Sequence, residues 1–299
     1  MSETYVNNVS KFNLWVTASR PKTLPAAVTP VIVGSAIAGF EHKFNFVPAV
    51  FALVISLLIQ IATNFVNDLY DYLKGTDKPD RVGPQRLLTS GLISPREMKM
   101  AIYFTFGLAF FLGLYLVWLG GWIVLLIGVL SIAAGFGYTA GPFPFAYNGL
   151  GDIFVFIFFG IVATVGTYFV QALSFSSIAL WASVPVGLLI TNILVVNNYR
   201  DADEDKFANK KTLAVRFGKS FARGQYLISI VISYAVLFVI YFEYKTTAWI
   251  FLPFLALPLA VKLIKMIYSL TGSPLNKTLA LTGIFSTIYG LLFAVGLLL

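Results

Sequence analysis

The 299-residue sequence contains no cysteine and a single histidine, His42. The absence of cysteine excludes disulfides and thiolate metal sites, and one histidine alone builds neither a histidine metal site nor a Ser-His-Asp triad. Any metal chemistry must therefore rest on carboxylate and amide oxygens. Charged residues are also scarce, at 11% against about 25% in soluble domains, whereas 58% of the residues are hydrophobic. This composition predicts a protein whose solvent is lipid.

Long apolar segments predict nine transmembrane helices, since a helix needs about 20 mostly apolar residues to cross a bilayer. Eight or ten spans stay open as alternatives if a short segment is misassigned. The predicted fold class is all-α and polytopic, with a single domain over residues 1–299. The predicted spans are 24–40, 47–66, 100–118, 121–139, 151–171, 178–197, 225–242, 248–267 and 278–298.

Basic residues are distributed unevenly about these spans. With nine spans, 19 of the 21 Lys and Arg lie on or beside the side that holds the N-terminus, and only Lys43 and Lys245 lie on the other. Basic loops stay in the cytoplasm, which predicts a multi-pass protein of the cell membrane with its N-terminus inside and its C-terminus outside. The net charge of +8 is mostly this bias, so no nucleic-acid partner is expected. The loops on the basic side are 72–99, 140–150, 198–224 and 266–277.

Amides and acids recur at helical spacing where two of the spans end. A helix places residues at i, i+3, i+4 and i+7 on one face. Two helices would therefore each present carboxamides and a pair of carboxylates at one membrane depth. The first face consists of Asn64, Asn67, Asp68 and Asp71, and the second consists of Asn198, Asp201 and Asp205, with Asn197 one turn before Asp201.

Hard oxygens of this kind suit Mg²⁺, which takes one or two carboxylates and completes its octahedron with phosphate oxygens and water. Two such faces opposite one another would bind a diphosphate through bridging metal ions. The alternative is solvated loop charge, which accounts for Asp203 and Glu204. It accounts poorly for two aligned sets beside apolar helices, where an unpaired charge is costly. The predicted catalytic carboxylates are therefore Asp68, Asp71, Asp201 and Asp205, and they are also predicted metal ligands together with Asn64, Asn67 and Asn198, with Asp77 as a further candidate.

Basic residues follow each acidic cluster. A diphosphate needs cationic partners, and Arg and Lys stabilise the negative charge that develops as it departs. The same residues also serve the positive-inside bias, so both interpretations stay open for each. The candidate diphosphate-binding residues are Lys74, Arg81, Arg86 and Lys211.

The segment from Tyr138 to Asp152 carries several aromatic residues and no basic residue. We predict that a small aromatic acceptor binds here, with Asp152 or Tyr138 contacting its hydroxyls, and we count both as candidate catalytic residues. For Tyr147, the alternative is a Pro/Gly turn with interfacial aromatics. A weak internal repeat is also predicted between 15–139 and 150–267, since each half carries an Asn-x3-Asp sequence after its second span. The ninth helix would then be an addition.

Several short sequence motifs together resemble those of the UbiA superfamily of intramembrane aromatic prenyltransferases. Its usual first motif has an acid eight residues after Asn67, where this sequence has Gly75, and Asp77 follows two residues later. The menaquinone branch of the superfamily shares this shift, and the string from Lys74 to Arg81 is similar to that branch. The motifs are Arg20-Pro-Lys-Thr23, Asn67-Asp-x2-Asp71, Gly83-Pro-Gln-Arg86, Tyr138-Thr139, Gly149-Leu-Gly-Asp152 and Asn198-Tyr-Arg-Asp-x3-Asp205.

The resemblance implies nine helices around a central cavity with a cytoplasmic cap. It also implies Mg²⁺-assisted ionisation of a polyprenyl diphosphate and attack by a ring carbon of 1,4-dihydroxy-2-naphthoate. Loss of the carboxylate and oxidation would yield demethylmenaquinone. Because donor tail and product are lipids, the cavity is expected to open laterally to the bilayer.

Two other functions stay open at this stage. One is prenyl transfer to another acceptor such as 4-hydroxybenzoate. The other is cation-coupled transport, which places ionisable residues near the bilayer midplane, whereas the midsections of these spans carry no charge. The sequence leaves the prenyl chain length and the oligomeric state open.

Overall fold

The computed structural model describes residues 10–76 and 86–299, and these residues form helices and connecting turns without a strand. The prediction of an all-α polytopic fold is confirmed. The helices are α1 Lys11–Ala18, α2 Pro25–Phe40, α3 Phe46–Leu73, α4 Pro95–Gly120, α5 Trp122–Gly137, α6 Gly151–Ala172, α7 Ser177–Phe207, α8 Leu213–Phe217, α9 Lys219–Tyr244, α10 Ala248–Ser269 and α11 Leu275–Leu298.

Each predicted span coincides with one of these helices. In the described ranges, seven helices (α3, α4, α6, α7, α9, α10 and α11) are long and apolar enough to cross a membrane. Helix α2 adds an eighth span if it is joined to α1, from which it is bent by 55°. Helix α5 is apolar but has only 16 residues, about 24 Å of helix. The count of nine therefore stays a prediction.

The break between α1 and α2 lies at Arg20. Its φ of 53° is left-handed, a conformation that is costly for a residue with a side chain. Pro21 and Pro25 follow, and proline lacks the N–H that a continuing helix would need. The bend directs the Arg20 guanidinium to Asp68 on α3.

The main hydrophobic core lies among α2, α7, α9, α10 and α11, and a second core joins α3 to α4. Helix α6 crosses α7 where Gly160 meets Gly187, and a Cβ added to Gly160 would stand 2.7 Å from the Gly187 Cα. Phe156–Val162, in the middle of α6, is wound as a π-helix, a form that is frequent at functional sites. Helices α3 to α7 enclose the cavity described below.

Candidate active site

Helices α3 and α7 both extend beyond the ends of the predicted spans, to Leu73 and Phe207 respectively. The acids of both motifs therefore lie on helices rather than in loops. Asp68, Asp71, Asp201 and Asp205 are each at most 9% exposed. Buried carboxylates are stable only with charged or hydrogen-bonding partners, and the structure supplies a partner to each.

Two arginines neutralise the carboxylates on α3. Arg20 and Arg86 both donate to Asp68 Oδ1, and Arg86 Nη2 lies 3.4 Å from Asp71 Oδ2. Arg86 is one of the predicted diphosphate-binding residues. Arg20 was not predicted as a site residue, because its contact with Asp68 depends on the bend between α1 and α2.

Arg200 has the corresponding role on α7. Its guanidinium binds Asp201 through two hydrogen bonds, from Nε at 2.6 Å and from Nη2 at 2.7 Å. It also donates to the side-chain oxygens of Asn197 and Asn276. Sequence reasoning missed Arg200, although its position beside Asp201 at the end of a long apolar run is itself a signal of function.

Lys210 connects the two acidic faces. Its Nζ lies 3.6 Å from Asp71 Oδ1 on α3 and 3.9 Å from Asp205 Oδ1 on α7. It also stands 4.7 Å from the centre of the Tyr147 ring, and the Tyr147 hydroxyl donates to Asp71 Oδ1 at 2.7 Å. The carboxylates of the two motifs therefore meet at one ammonium group.

Two other predicted diphosphate-binding residues, Lys74 and Lys211, lie away from these carboxylates. Lys74 Nζ donates to the Thr139 carbonyl at 2.6 Å and stands 4.1 Å from the centre of the Tyr147 ring. Loss of hydration lowers the pKa of Lys74, an effect that Asp71 opposes and Lys210 reinforces.

Lys211 is exposed, and its backbone N–H donates to the Tyr147 carbonyl at 2.9 Å. Arg81 and the candidate ligand Asp77 lie outside the described residues.

The amides of the first motif hold neighbouring segments in place. Asn64 Nδ2 donates to the Ser19 carbonyl at 2.9 Å and to Thr23 Oγ1 at 3.0 Å, which fixes the bend before α2. Asn67 Oδ1 accepts from the Thr139 hydroxyl at the end of α5. On α7, Asn198 is buried and faces the cavity.

A cavity of about 450 Å³ begins at these polar groups and runs along α3, α4, α5 and α6. Asp71, Asp201 and Asp205 lie at its polar end, whereas most of the remaining wall is apolar. On α3, 19 residues separate Asp71 from Ala52, which also lines the wall, and this corresponds to about 28 Å of helix. The cavity therefore extends through most of the length of the helices.

The segment predicted to bind the acceptor folds against the polar end of the cavity. Tyr138 lies on the wall, and its hydroxyl is 3.2 Å from where a Cβ on Gly151 would stand. The next residue, Asp152, is buried behind the wall and accepts a hydrogen bond from Gln225 Nε2 at 3.0 Å. Tyr138 is therefore placed to touch a ligand, and Asp152 to position that part of the wall.

The donor set at the polar end fits Mg²⁺. Among the residues that the structure describes, no three carboxylates or histidines gather closely enough to hold a metal ion by themselves. Mg²⁺ does not need such a cage, because one or two carboxylates, substrate phosphates and water complete its shell. Lys210 already places a positive charge between Asp71 and Asp205. A cation shared with a diphosphate can therefore be bound there by oxygens of the right kind.

Comparisons with known proteins agree with this arrangement. The model of the UbiA prenyltransferase family matches residues 27–286. The 1,4-dihydroxy-2-naphthoate octaprenyltransferase of Escherichia coli (strain K12) is 38% identical over 262 residues, which are 85% of this chain and 84% of that protein. The protein of the same name from Mycobacterium tuberculosis (strain ATCC 25618 / H37Rv) is 37% identical over 254 residues, 85% of this chain and 86% of that protein.

Solved structures show the same fold at lower sequence identity. The apo structure of a UbiA homolog from Aeropyrum pernix K1 matches with a TM-score of 0.69 and 18% identity, over 89% of this chain and 97% of that one. A UbiA homolog from Archaeoglobus fulgidus bound to DMAPP and Mg²⁺ matches with a TM-score of 0.61 and 16% identity, over 94% of this chain and 99% of that one.

Proposed function

The chain belongs to the UbiA prenyltransferase family, and from this premise we propose that it transfers a polyprenyl group from polyprenyl diphosphate to 1,4-dihydroxy-2-naphthoate. One observation carries the proposal: buried carboxylates on two helices meet at the polar end of a long apolar cavity. Such a site suits a donor with an anionic head and a hydrocarbon tail. The acceptor is inferred from the names of relatives that are 37–38% identical.

In the proposed reaction, the bond between the allylic carbon and the diphosphate oxygen breaks, and the bonding electrons leave with the diphosphate. The ring carbon that bears the carboxylate attacks the prenyl cation. Carbon dioxide then departs and leaves its bonding electrons in the ring, which restores aromaticity. The product of the transfer is the hydroquinone form of demethylmenaquinone, and a separate oxidant would convert it to the quinone.

Arg20, Arg86 and Lys210 are the described cations closest to the α3 carboxylates. We propose that they bind oxygens of the departing diphosphate, because cations placed where charge develops stabilise the transition state most. In this state they would exchange their carboxylate partners for the leaving group. The Tyr138 hydroxyl on the cavity wall would orient the acceptor through a hydrogen bond to one of its hydroxyls.

We also propose that the reaction requires Mg²⁺, held by Asp68, Asp71, Asp201 and Asp205 with help from the neighbouring amides. When bound, the ion would offset the charge of the diphosphate and favour its departure. Treatment with EDTA should therefore abolish turnover, and Mg²⁺ or Mn²⁺ in excess should restore it, as measured by product formation in detergent or vesicles. Undiminished turnover in the chelator would contradict this part of the proposal.

An acceptor panel tests the function directly. Purified protein, Mg²⁺ and one polyprenyl diphosphate would be incubated separately with 1,4-dihydroxy-2-naphthoate and with 4-hydroxybenzoate. We expect the naphthoate to be consumed with release of carbon dioxide and the benzoate to be left unchanged. Preferential prenylation of 4-hydroxybenzoate would replace the proposed acceptor while leaving the donor chemistry intact. No transfer to any aromatic acceptor would reject the proposal as a whole.

A further inference from the structure

Three glycines leave open space on the wall of the cavity. Gly113 on α4, Gly128 on α5 and Gly166 on α6 all line it. A Cβ added to any of the three would meet no atom within 4 Å. No neighbouring group among the described residues therefore requires the absence of a side chain at these positions.

The three glycines lie at the same depth. Gly113 precedes the end of α4 at Gly120 by seven residues, Gly128 follows the start of α5 at Trp122 by six, and Gly166 precedes the end of α6 at Ala172 by six. At 1.5 Å per residue, each stands about 9–11 Å from the end of its helix opposite to the carboxylates. Three successive helices thus widen the cavity at one level.

Glycine inside a helix costs about 0.5–1 kcal/mol relative to alanine, so its presence calls for a physical reason. At two other positions in these helices the reason is close packing. A Cβ on Gly135 of α5 would stand 2.5 Å from Thr63 Oγ1, and one on Gly160 of α6 would stand 2.7 Å from the Gly187 Cα. At the three wall positions the space is open, which suits an occupant other than the protein.

A second cavity adjoins the main cavity at this level. It lies between α5 and α6, is lined only by apolar residues, and shares Ile127, Val162, Gly166 and Phe169 with the main cavity. It also reaches Phe175, which is 71% exposed. The two cavities are therefore separated by these four shared residues, and the second reaches the lipid-facing surface.

We propose that Gly113, Gly128 and Gly166 form the passage for the distal part of the donor's polyprenyl chain, which leaves the cavity between α5 and α6. This inference rests on the proposed function and extends it to the selection of chain length. The occupant must be a long hydrocarbon, because the glycine level is apolar and lies in the same cavity as the carboxylates that suit an anionic head. On α6, 14 residues separate Asp152 from Gly166, about 21 Å of helix, so a small aromatic acceptor held at the polar end would not reach this level.

Leucine at the glycine level tests the proposal, because it fills the passage while it favours the helix. The variants Gly128→Leu and Gly166→Leu would be assayed with a two-isoprene and an eight-isoprene diphosphate. We expect kcat/KM for the long donor to fall at least 10-fold and kcat/KM for the short donor to stay within about 2-fold, since only the long chain extends to that depth. Gly128→Ala and Gly166→Ala, which improve helix propensity, should show a smaller loss with the same selectivity.

Gly107→Leu is the matched control. Gly107 lies on α4, a Cβ there would also meet nothing within 4 Å, and the residue is not part of the cavity wall. This variant should use both donors as the wild type does. Equal losses for the two donors in the wall variants, or no loss in any of them, would overturn the inference. A wild-type protein that transfers neither donor would instead reject the proposed function.

Discussion

Arg20, Arg86, Arg200 and Lys210 each lie against at least one buried carboxylate of the two motifs. The interior of a membrane protein makes such pairing necessary, because an uncompensated buried charge costs several kcal/mol. The same cations are the groups that an incoming diphosphate would need. At the residue scale, the pairs that keep the protein stable without substrate are therefore also the groups that the proposed reaction would use.

Replacing one carboxylate on each helix tests this dual role. Asp68→Ala or Asp201→Ala should lower kcat and kcat/KM together, by about 10²-fold or more, because the lost interaction acts mainly as the diphosphate departs. Asp203→Ala is the control, since Asp203 is exposed and pairs with Lys219 at 2.7 Å. It should keep near-normal rates. The rates would be measured by steady-state kinetics on variants whose melting temperatures match that of the wild type. If Asp203→Ala lowered the rates as much as Asp201→Ala, the assignment of the α7 face to metal binding would be wrong.

Asp152→Asn should affect the acceptor more than the donor. The carboxylate is buried behind the wall, bonded to Gln225 and adjacent to Gly151, against which the Tyr138 hydroxyl lies. The Asn side chain keeps an acceptor oxygen for Gln225 but removes the negative charge, so the change acts on how the wall beside Tyr138 is held. We expect a raised KM and a lowered kcat for the acceptor, with binding of the prenyl diphosphate near normal. Equal damage to both substrates would indicate a structural role for Asp152.

Helical spacing predicts that Asn64, Asp68 and Asp71 share a face, and the structure places all three buried at the end of α3. Their partners were less accessible to sequence reasoning. The contact between Arg20 and Asp68 depends on the left-handed backbone of Arg20 itself, between α1 and α2. The contacts of Lys210 with carboxylates of both motifs depend on the turn that follows α7. Spacing along one helix cannot reveal contacts that only the packing of distant segments creates.

At the scale of helices and turns, a polar cluster joins the turn after α2 to the turn after α6, at the end opposite to the carboxylates. The Glu41 carboxylate accepts hydrogen bonds from Ser176 and Tyr168 and pairs with Lys43. Burial alone would raise the pKa of Glu41, but these three partners outweigh it and hold the pKa below its usual value.

The stability that Glu41 contributes should therefore depend on pH. A lowered pKa in the folded state means that this contribution is fully present above the ordinary pKa of about 4.3 and is lost as pH falls through the lower folded value. Melting temperatures of the wild type should exceed those of Glu41→Gln at pH 7, and the difference should shrink below about pH 4. Glu243→Gln, at an exposed position near this end, is the control. A constant difference over the whole range would contradict the expectation.

The helices themselves could be predicted well from hydrophobic runs of about 20 residues, and Gly120-Gly121 lies at the turn between α4 and α5. The extensions of α3 and α7 beyond the hydrophobic runs were indicated only by the helical spacing of their amides and acids, because hydropathy alone assigns these segments to loops. Two features could not be predicted. The π-helical segment of α6 leaves no distinct pattern in a uniformly apolar sequence. The bend at Arg20 depends on a backbone conformation that the residue type disfavours.

At the scale of the whole molecule, the two acid-bearing helices occupy equivalent places, as the second long helix after α1 and the second after the α5–α6 connection. The internal repeat of 15–139 and 150–267 stays a prediction. A repeat of this kind would explain why two related faces meet at one cavity, since duplication of a four-helix unit brings equivalent helix ends together.

The orientation of the molecule can be tested through its lack of cysteine. Lys206→Cys at the carboxylate end and Lys245→Cys at the opposite end would each carry the only thiol in the chain. Because basic loops stay in the cytoplasm, a membrane-impermeant maleimide should label Cys at 245 in intact cells and Cys at 206 only after permeabilisation. The reverse pattern would invert the orientation. Labelling of both from one side would show a wrong span count between α7 and α10.

The short helix α5 has a mechanical consequence. It forms one side of the cavity, yet its length of about 24 Å is less than the roughly 30 Å thickness of a typical hydrocarbon core. A bilayer compensates such a hydrophobic mismatch by thinning around the helix, at a fraction of a kcal/mol per Å. Acyl chains of different length would then press on this wall to different degrees. If α5 crosses the bilayer as predicted, the host membrane would therefore act on the shape of the cavity through its elasticity, without any bound ligand.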